Sequence, residues 1–197
     1  MQVSVALPRD PDRDHGRGLE EAALVQRARD EPAAFETLYR QYRDRIYWYL
    51  LARTQGEEDA ADLTQQVFVH ALGALRQYHE RKGSVAAWLF GIARHAAADL
   101  HRRRRVTIAW ERLPAALHPD DGSDIEADAV RRESLTRLAQ LLATFPKDKR
   151  DLLALRFAGG LTIPEIAAVV GKSAEATRKQ LTRTLHSLEE QYHDAAE

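Results

Sequence analysis

The tripeptide Gly-Lys-Ser at residues 171–173 has the residue types that hold a nucleotide phosphate in a P-loop. The full P-loop pattern requires a further glycine five residues before this tripeptide, and Ile166 occupies that position. A P-loop also follows a buried strand, whereas Thr162 and Glu165 have the spacing of a capping box at the start of a helix. The sequence therefore favours a turn between two helices over a nucleotide-dependent enzyme, with the glycine ending the first helix and the serine capping the second.

The run His-Arg-Arg-Arg-Arg at residues 101–105 has the chemistry to bind a polyanion. It ends a predicted helix over 84–105, where a single cation gains about 0.3–1 kcal/mol from the helix dipole. Further adjacent arginines gain little and repel one another, so the run indicates a partner such as nucleic acid. The polar loop 79–83 precedes this helix and suits the capture of an unpaired base. The candidate nucleic-acid-binding residues of this region are Lys82, Arg94, His95, Asp99, Arg102 and Arg103.

Residues for catalysis or metal binding form no recognisable pattern. The chain has no cysteine, which excludes disulfides and thiolate metal sites and suits a reducing compartment. Its eight histidines include no His-x-x-x-His pair beside a carboxylate. We therefore expect no catalytic residue, no metal and no cofactor. The sequence also contains neither a leader nor a membrane-spanning apolar run, so we expect a cytoplasmic protein with no membrane insertion of its own.

Helical spacing of apolar residues dominates the chain, and alternating strand patterns are absent. The fold class is therefore predicted to be all-α. The predicted helices form two small bundles, over residues 19–105 and 130–190, joined by a flexible acidic linker over 106–129. Prolines and glycines predict a disordered tail over residues 1–18, and 191–197 form a C-terminal tail.

Charge varies along the chain although the formal net charge of the whole is only −1. Residues 106–129 contain six acidic residues and one basic residue. The first bundle has fourteen basic and eleven acidic residues over 21–105, and the remainder from 130 has eleven and nine. Local basic clusters, rather than the whole-chain sum, set the field that a phosphate backbone meets. The overall charge therefore does not exclude nucleic-acid binding.

The last predicted helix has a polar face rich in basic residues. Thr177, Leu181, Leu185 and Leu188 repeat at helical spacing and are predicted to face the bundle. In a helix-turn-helix, the second helix enters the major groove, where Arg and Lys donate to guanine and to phosphates. The candidate DNA-binding residues are Lys172, Ser173, Glu175, Arg178, Lys179, Thr182 and Arg183. The alternative is a solvated amphipathic helix in an ordinary bundle.

Three stretches carry a resemblance to a known family: DAADLTQQVFVHAL at 59–72, SVAAWLFGIARHAAADLHR at 84–102 and LRFAGGLTIPEIAAVVGKSAEATRKQLTRTLHSL at 155–188. In this order they resemble the two conserved domains of bacterial extracytoplasmic-function (ECF) sigma factors of the sigma-70 family. The resemblance implies a non-enzymatic promoter-specificity subunit of RNA polymerase. It also implies three partners, which are core RNA polymerase through its β′ clamp helices and β flap, promoter DNA, and an anti-sigma factor.

The resemblance assigns each group of candidate residues to one of these partners. The helix over 59–72 would dock on the β′ clamp helices through Asp62, Gln65 and Gln66, which lie off its apolar stripe. The 84–105 region would bind the melted minus-ten strand, and the helix-turn-helix would bind the minus-thirty-five element. His95 stands where the family usually has Asn.

A free-standing helix-turn-helix regulator, with the first bundle as a sensor or dimerisation module, is the alternative function. It would bind an operator tightly without polymerase, at half-sites spaced by a dimer. The polar set on the 59–72 helix argues against it, because a dimer interface does not need those residues.

Overall fold

The computed structural model describes residues 11–54, 56–79, 83–104, 138 and 140–194, and no strand occurs among them. The all-α prediction is therefore confirmed. The helices are α1 (Pro11–Ala28), α2 (Pro32–Leu51), α3 (Glu57–Ala74), α4 (Val85–Arg104), α5 (Lys147–Leu153), α6 (Ile163–Val170) and α7 (Ala174–Asp194). A short 3-10 turn, Leu75–Gln77, extends α3, and a π-helical turn, Ala154–Ala158, extends α5. No helix in the described part of the chain combines the length and apolarity needed to cross a membrane.

Helix α1 begins at Pro11, so the prediction of a disordered tail over residues 1–18 is wrong for residues 11–18. Two glycines within these residues favoured disorder in the sequence. A proline in the first turn costs no hydrogen bond, however, because the amides of that turn have no partner inside a helix. Residues 1–10 lie outside the described residues.

Helices α1 to α4 form the first bundle. On α2, the side chains of Leu38, Tyr42, Ile46 and Tyr49 are completely buried, as expected for one face of a helix. Their neighbours on α3 include Val67, which is also fully buried. This core holds α3 and α4 in place and leaves their remaining faces for other contacts.

Helices α5 to α7 and the π-helical turn form the second bundle. On α7 the buried residues are Thr177, Leu181 and Thr184, whereas Leu185 is 37% exposed. The prediction that Leu185 faces the bundle is therefore wrong. Steps of four and then three residues follow the helical repeat of 3.6 better than two steps of four, so Thr184 takes the inward position.

The two bundles pack directly against each other, with α4 against α6. Gly159, just after the π-helical turn, lies so close to Phe90 of α4 that an added Cβ atom would be 2.6 Å from the Cε1 atom of that ring. Arg45 of α2 donates hydrogen bonds to the carbonyl oxygens of Gly159 and Gly160, at 2.9 and 3.3 Å. The predicted linker 106–129 and the start of the second predicted bundle, 130–137, lie outside the described residues.

Candidate functional site

The outward face of α3 has five exposed side chains on one side of the helix. The three predicted polar residues, Asp62, Gln65 and Gln66, are all exposed. The apolar residues Val69 and Leu72 continue the same face and are 68% and 53% exposed. We call these five residues the α3 surface. Val69 and Leu72 were not predicted from the sequence to be part of this surface, although both lie off the buried apolar stripe of the helix.

A groove of 450 Å³ lies beside the α3 surface, between α2 and α3. Gln65 lines it from α3, and the aromatic rings of Tyr47 and Trp48 line it from α2, with their centroids 5.0 Å apart. An exposed ion pair between Arg43 and Asp44, 2.8 Å long, lies at the same groove. Exposed polar and apolar groups side by side suit a protein partner better than a small polar ligand. Sequence patterns do not reveal this groove because it depends on how two helices pack.

Helix α4 begins as predicted, because the Ser84 hydroxyl accepts a hydrogen bond of 3.1 Å from the amide of Ala87. Three of the predicted nucleic-acid-binding residues, His95, Asp99 and Arg102, are exposed or half-exposed along α4. Arg102 forms an ion pair with Asp99. Lys82 lies outside the described residues, as does the side chain of Arg103.

Arg94 of α4 differs from these three residues because it contacts the second bundle. Its Nε atom donates a hydrogen bond of 2.8 Å to the Oδ2 atom of Asp151 on α5. Asp151 is only 4% exposed. Its Oδ1 atom accepts a hydrogen bond of 2.9 Å from the Tyr49 hydroxyl and lies 3.4 Å from Nε of Arg53. One buried carboxylate thus compensates two arginines of the other bundle.

The surroundings of Asp151 are strongly basic. Burial raises the pKa of the Tyr49 hydroxyl well above its ordinary value, and the charge of Asp151 raises it further, so this hydroxyl stays a donor. Burial lowers the pKa of Lys147, and repulsion from Arg53 adds to this effect. Burial also lowers the pKa of His101, followed by repulsion from Lys147. The local charge is therefore positive in spite of the carboxylate.

Helices α6 and α7 form the predicted helix-turn-helix. The capping box is present, since the Thr162 hydroxyl accepts from the Glu165 amide and the Glu165 carboxylate accepts from the Thr162 amide. Gly171 has a φ of 70°, the left-handed conformation expected past a helix end. The Ser173 hydroxyl accepts a hydrogen bond of 3.1 Å from the amide of Ala176. The tripeptide at 171–173 is thus a turn followed by a helix cap.

All seven candidate DNA-binding residues of the helix-turn-helix are exposed. Lys172 donates a hydrogen bond of 2.6 Å to the side-chain oxygen of Gln180, and Lys179 forms a 2.6 Å ion pair with Glu175. Arg178 and Arg183 are exposed on the same helix. Contacts between exposed groups cost little to break, so all seven residues are accessible to a polyanion.

Comparison with known families decides the identity of this arrangement. The family model for Sigma-70 region 2 matches residues 38–107, and the model for Sigma-70 region 4 matches residues 135–188. The chain belongs to the ECF family of sigma-70 factors. In this ECF sigma factor the region 2 match contains α3 and α4, and the region 4 match contains the helix-turn-helix.

Relatives of this ECF sigma factor include the ECF RNA polymerase sigma factor SigD of Mycobacterium tuberculosis, at 36% identity over 134 residues. That alignment covers 67% of this chain and 62% of SigD. BldN of Streptomyces coelicolor is 32% identical over 187 residues, which cover 90% of this chain and 66% of BldN. ShbA of Streptomyces griseus is 34% identical over 132 residues, covering 64% of this chain and 68% of ShbA.

Two solved structures share the fold. CnrH, solved in complex with the cytosolic domain of CnrY, has a TM-score of 0.66 and 25% identity, covering 90% of this chain and 99% of CnrH. RpoE of Bartonella quintana, solved with the anti-sigma factor NepR, has a TM-score of 0.59 and 20% identity, covering 79% of this chain and 94% of RpoE. The arrangement of helices is therefore shared with both proteins.

Proposed function

We propose that this ECF sigma factor is the promoter-specificity subunit of an alternative RNA polymerase holoenzyme and directs transcription initiation. The observation that carries the proposal is the α3 surface, where exposed polar and apolar side chains lie together on a helix of the Sigma-70 region 2 match. An exposed patch of this kind is suited to a partner protein. The phosphoryl chemistry of transcription belongs to the polymerase, and we assign no catalytic residue to this chain.

The α3 surface is the proposed docking site for the β′ clamp helices of core polymerase. Asp62, Gln65 and Gln66 supply acceptors and donors, while Leu72 and Val69 supply apolar area that loses water on binding. Stable protein interfaces combine apolar area with hydrogen-bonding groups, and the α3 surface offers both side by side. We further propose that the second bundle contacts the β flap, as the family resemblance implies.

Two further surfaces are proposed to bind promoter DNA. His95, Asp99 and Arg102 of α4, with Lys82, Arg94 and Arg103, would contact the melted minus-ten strand. The exposed face of α7 would enter the major groove at the minus-thirty-five element, with Arg178 contacting bases and Lys172 contacting a phosphate. A few phosphate contacts give weak and salt-sensitive binding, so useful affinity is expected only in the holoenzyme.

An anti-sigma factor is the proposed inhibitory partner. CnrH was solved with the cytosolic domain of CnrY, and RpoE with NepR. By analogy with the family, we propose that a protein inhibitor covers binding surfaces of this chain in the cytoplasm.

Run-off transcription with purified core polymerase tests the proposed function. The full chain, mixed with core polymerase and fragments of its own genome, should produce discrete start sites that core polymerase alone does not produce. A pull-down of the β′ subunit is expected in parallel. A chain that starts no transcript but binds an operator tightly as a dimer, without polymerase, would be the free-standing regulator instead.

A further inference from the structure

Two hydrogen-bond donors and one further cation of the first bundle converge on the carboxylate of Asp151. The donors are the Tyr49 hydroxyl, at 2.9 Å, and Nε of Arg94, at 2.8 Å, and the further cation is Arg53, whose Nε lies 3.4 Å away in an ion pair. The side chain of Arg53 is only 4% exposed, and its Nε and Nη1 atoms have no hydrogen-bond partner among the described residues. We call Tyr49, Arg53 and Arg94 the anion pocket. Its donor capacity exceeds what one carboxylate uses.

The anion pocket belongs wholly to the Sigma-70 region 2 match, whereas Asp151 belongs to the region 4 match. Separation of the two bundles would therefore remove the acceptor and open the pocket to solvent. Two arginines and a hydroxyl held close together would then have unused donors, and charged donors form the strongest hydrogen bonds with an anion. The opened pocket of the first bundle is consequently suited to another anion.

The position of the pocket favours a phosphate of DNA as that anion. Arg94 lies on α4 beside His95, which is exposed, and the last four residues of α4, 101–104, are a histidine and three arginines. A strand that follows this helix brings successive phosphates past it. Arginine binds phosphate and carboxylate oxygens with the same geometry, so Asp151 is a chemical stand-in for a phosphate.

We propose that the anion pocket is a phosphate-binding site for promoter DNA, which Asp151 occupies while the two bundles are docked. DNA and the second bundle then compete for the same donors. Binding of DNA in this pocket releases Asp151, and docking of the second bundle reduces the affinity of the first for DNA. This inference rests on the proposed function, because it takes α4 to be the DNA-binding helix.

Measurements on the full chain test this competition. The chain contains no cysteine, so cysteines introduced at the exposed positions Glu58 and Gln191 would be the only sites labelled by a donor and an acceptor dye. Energy transfer between them should fall in the variant Asp151→Asn, since the bundles separate more often. Binding of a fluorescent single-stranded oligonucleotide should tighten about tenfold, the equivalent of one charge-assisted hydrogen bond.

A second substitution identifies the pocket as the origin of this gain. Arg94→Gln in the Asp151→Asn background should return the oligonucleotide affinity to that of the unmodified chain and reduce its salt dependence by about one phosphate contact. The matched control is Glu189→Gln, which removes one exposed negative charge from the same bundle. Its energy transfer should not change.

Three results would overturn the proposal. Unchanged energy transfer in Asp151→Asn would mean that Asp151 does not hold the bundles together. A gain in affinity that survives Arg94→Gln would mean that general electrostatics, and not the pocket, binds the DNA. A gain for a polyglutamate peptide but not for the oligonucleotide would assign the pocket to an acidic protein partner.

Folding and the proposed function have separate controls. Circular dichroism reports whether Asp151→Asn folds. If it does not, Arg45→Gln removes two hydrogen bonds between the bundles without altering the anion pocket. It should produce a smaller gain of about threefold in the same direction, and no gain there would overturn the proposal. Run-off transcription by the unmodified chain reports on the proposed function. Normal transcription with no competition refutes only the pocket, whereas absent transcription with clear competition refutes only the sigma-factor role.

Discussion

Helices α3 and α4 both have predicted binding residues, but their surroundings differ. All five side chains of the α3 surface are exposed, and nothing in the described chain covers them. On α4, by contrast, Arg94 is half-buried and paired with Asp151 of the other bundle, and Phe90 packs beneath Gly159. The α3 surface is accessible to a partner, whereas part of α4 is already in contact with the second bundle.

This difference suggests an order of events. A partner of α3 can bind without disturbing any contact between the bundles, so the proposed association with polymerase would need no prior rearrangement. A partner of Arg94 must first displace Asp151. Binding at α4 is thus coupled to the arrangement of the second bundle, in the sense that each binding event biases the other.

The largest expected effect concerns α3, whose surface is exposed. Leu72→Glu places a charge at the apolar end of the α3 surface, and we expect it to weaken binding to core polymerase by about 2 kcal/mol or more, as for an apolar hot-spot residue of an interface. The melting temperature should change little because Leu72 is 53% exposed. Titration of labelled core polymerase measures the affinity. Gln26→Glu, at an exposed position on α1, is the control and should bind normally.

The next effect concerns α7, whose outward face is exposed like that of α3. Arg178→Ala should lower the preference for the cognate minus-thirty-five sequence by about 1–3 kcal/mol, because a base contact is lost. Lys172→Ala should weaken binding to all sequences alike and reduce the salt dependence by about one contact. Holoenzyme binding to cognate and scrambled promoters, over a range of salt, separates the two. Equal losses on both promoters for Arg178→Ala would refute the base contact.

Substitutions at two glycines test the packing of α4 against the second bundle. Gly159→Ala would bring a Cβ atom 2.6 Å from the Phe90 ring and 2.9 Å from the carbonyl oxygen of Leu155. We expect a loss of about 1–3 kcal/mol in the free energy of unfolding, as for an overpacked core. Gly91 of α4 is the control, since its added Cβ atom meets nothing within 4 Å.

Gly91→Ala should therefore raise the free energy of unfolding by about 0.5–1 kcal/mol, because alanine favours a helix interior. Urea denaturation of both variants measures the difference. If the two substitutions had equal effects, close packing between α4 and the second bundle would be disproved.

The smallest expected effect is a pH dependence of the free energy of unfolding, caused by His101 on α4. Burial, and then repulsion from Lys147, Arg53 and Arg150, lowers the pKa of His101. As the pH falls below the ordinary histidine value of about 6.5, the unfolded chain takes up a proton that the folded chain resists. The free energy of unfolding should therefore fall with pH in that range.

The contribution of His101 should be below about 1 kcal/mol, because the side chain is partly solvated. Urea denaturation on both sides of the histidine range should show a weaker pH dependence for His101→Gln than for the unmodified chain. His70→Gln, at an exposed position on α3, is the matched control and should retain the full dependence. If His70→Gln instead showed the weaker pH dependence, His101 of α4 would not be the origin of the effect.

Features set by residues close in the chain were predictable from the sequence. The capping box of Thr162 and Glu165, the turn at Gly171 and the caps at Ser84 and Ser173 each join groups within a few residues, and all are present. The helical repeat likewise predicted the all-α class. Which residue of α7 is buried one turn after Leu181 was less predictable, because Thr184 and Leu185 are adjacent and the helical repeat allows either.

Features that join distant residues were not predictable. Asp151 lies in a run of charged residues typical of an exposed helix start, and its partners Arg94 and Tyr49 are 57 and 102 positions away. The groove between α2 and α3 depends on the packing of two helices. The helix at Pro11 was obscured because its glycines favour disorder locally.

The Glu165 carboxylate serves two helices at once. Its Oε2 atom accepts from the amide and hydroxyl of Thr162 at the start of α6, while its Oε1 atom accepts a hydrogen bond of 3.1 Å from the Ser84 hydroxyl at the start of α4. Undocking would break only the bond to Ser84, and the cap of α6 would survive. The start of α6 therefore keeps its cap without help from the first bundle, so separation of the bundles would leave this part of the helix-turn-helix intact.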